Sequence, residues 1–124
     1  MIKRRPVSDI ADSSTATSPS VAYQAWVLDT QHKLIVNARE SSHLSWPEWA
    51  TRALERIQKM ENANPDEIEF LLSAWPRGRK GKTRLSFRVQ PATLSTMQEL
   101  AETHNGTIQG LIAHCFFIEA LATS

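Results

Sequence analysis

The chain has 124 residues, with 14 basic and 13 acidic side chains, a formal net charge of +1 and 41% hydrophobic residues. That length suits one domain with one modest core, and ordinary apolar and charged fractions exclude a wholly disordered chain. No apolar run reaches membrane-spanning length, and a lone cysteine, Cys115, excludes an internal disulfide; a cytoplasmic protein with Cys115 as a packing residue is expected.

Residues 1–20, MIKRRPVSDIADSSTATSPS, are poor in large apolar residues and are expected to form a mobile leader, with Lys3, Arg4 and Arg5 chiefly solubilising. VAYQAWVL over 21–28 predicts a strand in which Tyr23, Ala25 and Val27 alternate with Ala22, Gln24 and Trp26. Asp29 or Thr30 can open a helix carrying Leu34, Ile35 and Ala38, which Ser41-Ser42-His43 breaks. In LSWPEWATRALERI, Ser45 and Glu48 stand at capping-box spacing, Pro47 falls in the first turn, and Leu44 and Trp49 are spaced as a hydrophobic staple. Trp49, Ala50, Ala53, Leu54 and Ile57 then share one helical face.

Asn64-Pro65-Asp66-Glu67 predicts a second helix start, capped by Asn64, for an accessory helix with Ile68, Leu71, Leu72 and Trp75 on its apolar side. Pro76 and Gly78 end it, and the basic loop RGRKGK follows. Leu85, Phe87 and Val89 alternate with Arg84, Ser86 and Arg88, the pattern of a half-buried strand over 84–90. Pro91 opens a helix with Leu94, Met97, Leu100 and Ala101, and Asn105-Gly106 is expected to end it, the glycine taking the left-handed cap. Thr107 can cap the last helix, which is apolar almost all round through Ile108, Leu111, Ile112, Cys115, Phe116, Phe117, Ile118 and Leu121. A single supporting layer cannot cover such a helix, and a lone strand is not stable, so this unit needs a counterpart.

The first half supplies one. Sliding it forward by 62 positions sets Tyr23 on Leu85, Ala25 on Phe87, Val27 on Val89, Ser45 on Thr107, Trp49 on Leu111 and Leu54 on Phe116 without a gap. Identity is almost nil; pattern and constant offset carry the repeat, with units at 21–58 and 84–121, connector 59–83, and 21–124 as one domain. Charge is uneven too: Arg77, Arg79, Lys80, Lys82, Arg84 and Arg88 supply six of the 14 basic side chains, and no acid lies between Glu69 and Glu99. A basic run that continues onto the polar face of a strand suggests a phosphate-facing surface.

The strand-helix-helix order, met twice, resembles the ribbon-helix-helix family of DNA-binding proteins, to which the Arc and MetJ repressors belong. The resemblance implies a mainly α fold with a two-stranded antiparallel ribbon, here a single-chain pseudo-two-fold with an accessory connecting helix. It implies that the ribbon enters the major groove of double-stranded DNA. Arg84, Ser86 and Arg88, with Ala22, Gln24 and Trp26, would face the bases; arginine suits guanine and glutamine suits adenine. Trp26 has two readings, a contact with a thymine methyl or sugar and packing under the leader. The start of each second helix, at Ser45-Trp46 and Thr107-Ile108, would offer backbone N–H groups to phosphates, alongside Arg77, Arg79, Lys80 and Lys82.

Unlike strands imply an asymmetric target. Tandem single-chain members act in bacterial conjugation and in virulence-associated T-DNA transfer from plasmids, and the chain is similar to the T-DNA transfer form. That implies binding an enhancer beside the T-DNA border and helping a relaxase-type nickase in the relaxosome without cutting DNA. The chain is expected to be a monomer in solution, with no membrane partner. Alternatives are a transcriptional repressor or antitoxin of the same fold, and a protein-interaction module without DNA binding. No catalytic, cofactor or metal site is expected: His32, His43, His104 and His114 lack metal-ligand spacing, and the acids are expected on helix exteriors.

Overall fold

The computed structural model describes residues 19–123, so the expectation for most of the 1–20 leader, including Lys3, Arg4 and Arg5, lies outside the described residues. Seven elements follow in order: β1 (Val21–Leu28), α1 (Asp29–Ser42), α2 (Trp46–Ala63), α3 (Pro65–Ser73), β2 (Lys82–Val89), α4 (Pro91–Thr103) and α5 (Ile108–Thr123). The two strands form one antiparallel ribbon in which Val21 pairs with Val89, Gln24 with Ser86 and Leu28 with Lys82. This mainly helical chain with a two-stranded antiparallel ribbon agrees with the expected class.

Alternation decides which way the ribbon faces. Ala25, Val27, Leu85, Phe87 and Val89 are buried, and Ala22, Gln24, Arg84, Ser86 and Arg88 are exposed. The buried face meets Ile35, Trp49, Met97, Leu111, Ile112 and Phe116 in one continuous core. The Phe116 ring packs edge-on against Phe87 with centroids 5.1 Å apart and stacks on Trp46 at 6.0 Å. Helix α5 sits at the centre, packed by α1, α2, α3, α4 and β1, which explains why its apolar residues show no single face.

The caps are partly as expected. Ser45 and Glu48 form the full capping box of α2, with Pro47 in the first turn. Thr107 Oγ1 accepts from the Gly110 N–H at 3.1 Å, closing the first turn of α5. Asn64 makes no side-chain cap bond; it lies between α2 and α3 and ends one while opening the other. Helix α2 runs to Ala63, beyond the expected unit end at 58, because its apolar face continues to the half-buried Met60; α3 stops at Ser73, short of Trp75; and β2 begins at Lys82.

Two expectations are corrected. At the end of α4, Asn105 rather than Gly106 takes the left-handed conformation, with φ of 58°. The Asn105 N–H bonds the Glu102 carbonyl at 3.2 Å and the Gly106 N–H bonds the Ala101 carbonyl at 2.8 Å, a Schellman closure. Glycine is needed at 106 for room instead: a Cβ there would lie 2.6 Å from Leu72 Cδ1 of α3. Nor are all acids on exteriors. Glu119 is 1% exposed inside α5, where Arg56 Nε donates to its Oε1 at 2.6 Å and Arg52 lies 3.9 Å away. Two arginines reaching in from α2 make that burial tolerable.

Candidate nucleic-acid interface

Strand register brings the six residues expected to face bases onto one surface. Ala22 lies opposite Arg88, Gln24 opposite Ser86, and Trp26 opposite Arg84. Side chains directly opposite in an antiparallel pair sit about 5 Å apart, so the six form one patch two strands wide. Arg84 is exposed on it. Arg88 is exposed but engaged: its Nε donates to Ser20 Oγ at 2.9 Å and its Nη2 donates to the Ser20 carbonyl, which holds the guanidinium toward the chain entering β1.

Trp26 is half-buried, and among the described residues its cover comes from the basic loop. The Arg79 guanidinium lies over its ring at 4.6 Å, a cation–π contact that ties the loop between α3 and β2 to the ribbon face. Lys82 is likewise held, its ammonium 4.6 Å over the Trp75 ring and donating to the Pro76 carbonyl. Loss of hydration holds the Lys82 ammonium somewhat below the usual lysine range. Arg77 and Lys80 are exposed on the same loop, where Gly78 and Gly81 take φ of 77° and 76°.

The two helix starts expected to meet phosphates differ. At α5, Thr107 caps with a neutral hydroxyl, no acid stands in the first turn, and the half-buried Ile108 side chain packs on the core, leaving only its amide for a ligand. At α2, the Ser45 N–H and Oγ–H both donate to Glu48 Oε1 at 3.0 Å, and the Glu48 N–H donates to Ser45 Oγ at 3.3 Å. Hydrogen bonds from the Ser45 backbone and side chain hold the Glu48 carboxyl below the usual carboxylate range. The Trp46 ring packs between Phe87 and Phe116, with Arg39 5.0 Å from its centroid, leaving only its amide for a ligand.

Gln109 gave no signal in the sequence, yet it lines the groove beside the candidate surface. Its Oε1 accepts from the Trp26 N–H at 3.0 Å, and its Nε2 donates to the Gln24 carbonyl at 3.2 Å. These groups belong to the edge of β1 turned away from β2, so the glutamine side chain satisfies that edge and fixes the start of α5 beside the ribbon. Gln24, Trp26, Arg77, Arg79, Lys82, Thr107 and Gln109 therefore line a single groove of about 730 Å³ along this flank.

His104 also finds partners that the sequence reading missed. It is buried, with Nε2 2.6 Å from Glu61 Oε2 and Nδ1 3.2 Å from Glu69 Oε2. Chiefly the Glu61 bond, helped by Glu69 and opposed by burial, raises its pKa above the ordinary value. Among the described residues no group of three His, Cys, Asp or Glu side chains is placed to hold a metal ion. Cys115 is buried and its thiol is pushed well above its usual pKa by burial and by Glu119. Among the described residues no single helix is long and apolar enough to cross a membrane. No family model, curated protein or solved structure matches this chain.

Proposed function

We propose that this chain binds double-stranded DNA by laying the outward face of the β1–β2 ribbon in a major groove. One observation carries the reading: the register that sets Arg84, Ser86 and Arg88 against Trp26, Gln24 and Ala22 on the ribbon face turned away from the core. A two-stranded ribbon fits that groove, where arginine and glutamine can each make paired hydrogen bonds to one base.

The same reading takes the fold as two ribbon-helix-helix units in tandem about a pseudo-two-fold axis. Its support is a constant spacing. Asp29 and Pro91 open α1 and α4, and Trp46 and Ile108 open α2 and α5, each pair 62 residues apart. The ladder pairs Gln24 with Ser86, also 62 apart, as an axis through the middle of the ribbon requires. Ala22, Gln24 and Trp26 differ chemically from Arg84, Ser86 and Arg88, so the preferred site is asymmetric. The resemblance to single-chain members of the family supports a role as an accessory factor that binds an enhancer beside a T-DNA border or transfer origin. There it promotes strand production by a relaxase-type nickase and cuts nothing itself.

The test is selection of bound duplexes from a random pool, followed by gel-shift titration of the selected site. Changing Arg84→Ala together with Arg88→Ala is expected to remove about 2–6 kcal/mol of specific binding, at about 1–3 kcal/mol per good base contact. Unchanged binding would discard the ribbon as the reading surface. Adding the chain to a nickase and its border duplex is expected to raise the yield of transferred strand; an unchanged yield would favour an operator-binding regulator.

A further inference from the structure

We infer that the grip on the DNA backbone is one-sided: phosphates are taken along the β1 flank of the ribbon, and the Glu48 carboxylate keeps them off the β2 flank. This rests on the DNA-binding reading above. The two flanks differ in charge, although Arg39 also reaches the α2 side by donating to the Leu44 carbonyl at 3.1 Å. The groove along β1 is lined by the cations Arg77, Arg79 and Lys82 and by no acid. The depression of about 360 Å³ at the far end of β2, beside Gln90, is lined by Glu48, Glu55 and a single cation, Arg52.

Side-chain chemistry at α2 sharpens the contrast. A backbone phosphate arriving there would need donors, but the Ser45 N–H and hydroxyl are both spent on Glu48 Oε1, and the Glu48 N–H is spent on Ser45 Oγ. Pro47 has no N–H to offer, which leaves the Trp46 N–H as the single remaining backbone donor before Glu48. The phosphate would also meet a full negative charge at close range, since Glu48 is exposed and ionised at neutral pH. On the opposite flank the corresponding turn carries no acid, and the basic loop is already fastened beside it through Arg79 on Trp26 and Lys82 on Trp75. The consequence is a defined polarity on DNA. The contacts along β1 set position and salt dependence, while Arg84 and Arg88 on β2 read bases with less support from the backbone on their own side.

Glu48→Gln tests this, because glutamine keeps the capping-box geometry and removes only the charge. Binding of a fluorescently labelled duplex is followed by anisotropy across a potassium chloride series. The variant is expected to bind about threefold tighter at low salt, as for one unit charge at roughly 6 Å in water. Its log affinity against log salt is expected to steepen by up to about 0.9, the slope of one further phosphate contact. Arg77→Gln with Arg79→Gln is expected to do the opposite, weakening binding and flattening the slope. A Glu48→Gln protein with the parent's affinity and slope would overturn the one-sided grip while leaving DNA binding intact. Failure of the parent protein to bind duplex at any salt would bring down the DNA reading itself, and the inference with it.

Discussion

At the scale of single residues, His104 is held in a way that only one of its charge states satisfies. Both ring nitrogens face carboxylate oxygens, Glu61 at 2.6 Å and Glu69 at 3.2 Å. A neutral imidazole has one N–H and can donate to one of them only, so the arrangement is complete as the imidazolium. Its folded pKa is raised, so its contribution to stability is full below the unfolded value near 6.5 and is lost as pH rises through the folded value. His114 acts in the opposite sense. Burial lowers its pKa, so its contribution is full above about 6.5 and is lost as the pH falls toward the folded value. We expect denaturant midpoints of the parent protein to decline on both sides of the near-neutral range. His104→Gln should abolish the decline that sets in just above neutrality and leave the acid side in place, while the later decline above about 8.5, where the Cys115 thiol ionises in the unfolded chain but not in the folded one, stays in both proteins; a decline just above neutrality that persists in His104→Gln would refute the assignment. None of this was legible in the sequence, where His104 stands 35 residues from Glu69 and 43 from Glu61. The Ser45–Glu48 cap was legible because its partners lie within one helical turn.

At the scale of elements, α3 shows how a local signal can name the right residue for the wrong reason. Asn105-Gly106 marks a turn, and a turn is there, but Asn105 supplies the left-handed conformation. Gly106 is small because α3 crosses it, with Leu72 Cδ1, Cβ and Cγ all within 3.0 Å of where a Cβ would stand. Gly106→Ala is therefore expected to destabilise the protein by about 1–3 kcal/mol through overpacking, not through backbone strain. Leu72 is buried, so Leu72→Ala alone should cost about 2–5 kcal/mol. Leu72→Ala removes Cδ1 and Cγ but keeps the Cβ that lies 2.8 Å from the new methyl, so the double variant should lose somewhat less than the two singles combined, a coupling readable by chemical denaturation. Strict additivity would mean that the Leu72 Cγ and Cδ1 atoms are not what the new methyl meets. The strands were legible for the converse reason: alternation in β2 is a property of neighbouring residues, and it gave Arg84, Ser86 and Arg88 their outward face directly. Their surroundings were not, because Arg79 over Trp26 and Gln109 on the β1 edge arise only when distant segments fold together.

At the scale of the whole molecule, the halves before and after the basic loop hold each other more than they hold themselves. β1 of the first half pairs along its length with β2 of the second. Helices α1 and α2 both pack on α5, and α2 also packs on β2 and α4. The central Phe116 ring is enclosed by Trp46 from one half and Phe87 from the other. The covalent link between them is thin by comparison. Residues 77–81 are exposed, and Gly78 and Gly81 adopt positive φ with nothing near their Cβ positions. Exposed, glycine-bearing loops are where proteases cut first. Limited trypsin treatment is therefore expected to cleave after Arg77, Arg79 or Lys80 before the helices are attacked. The two fragments should then co-elute as one species under native conditions and separate only in denaturant. The interface between them contains the core itself, so cutting the loop removes one chain connection and almost no buried area. Thermal unfolding should remain a single cooperative transition, lowered by the entropy of the lost linkage and now dependent on protein concentration. Fragments that part on the native column, or a nicked protein that melts in two steps, would mean that each half carries its own core and that the shared ribbon is not what unites them.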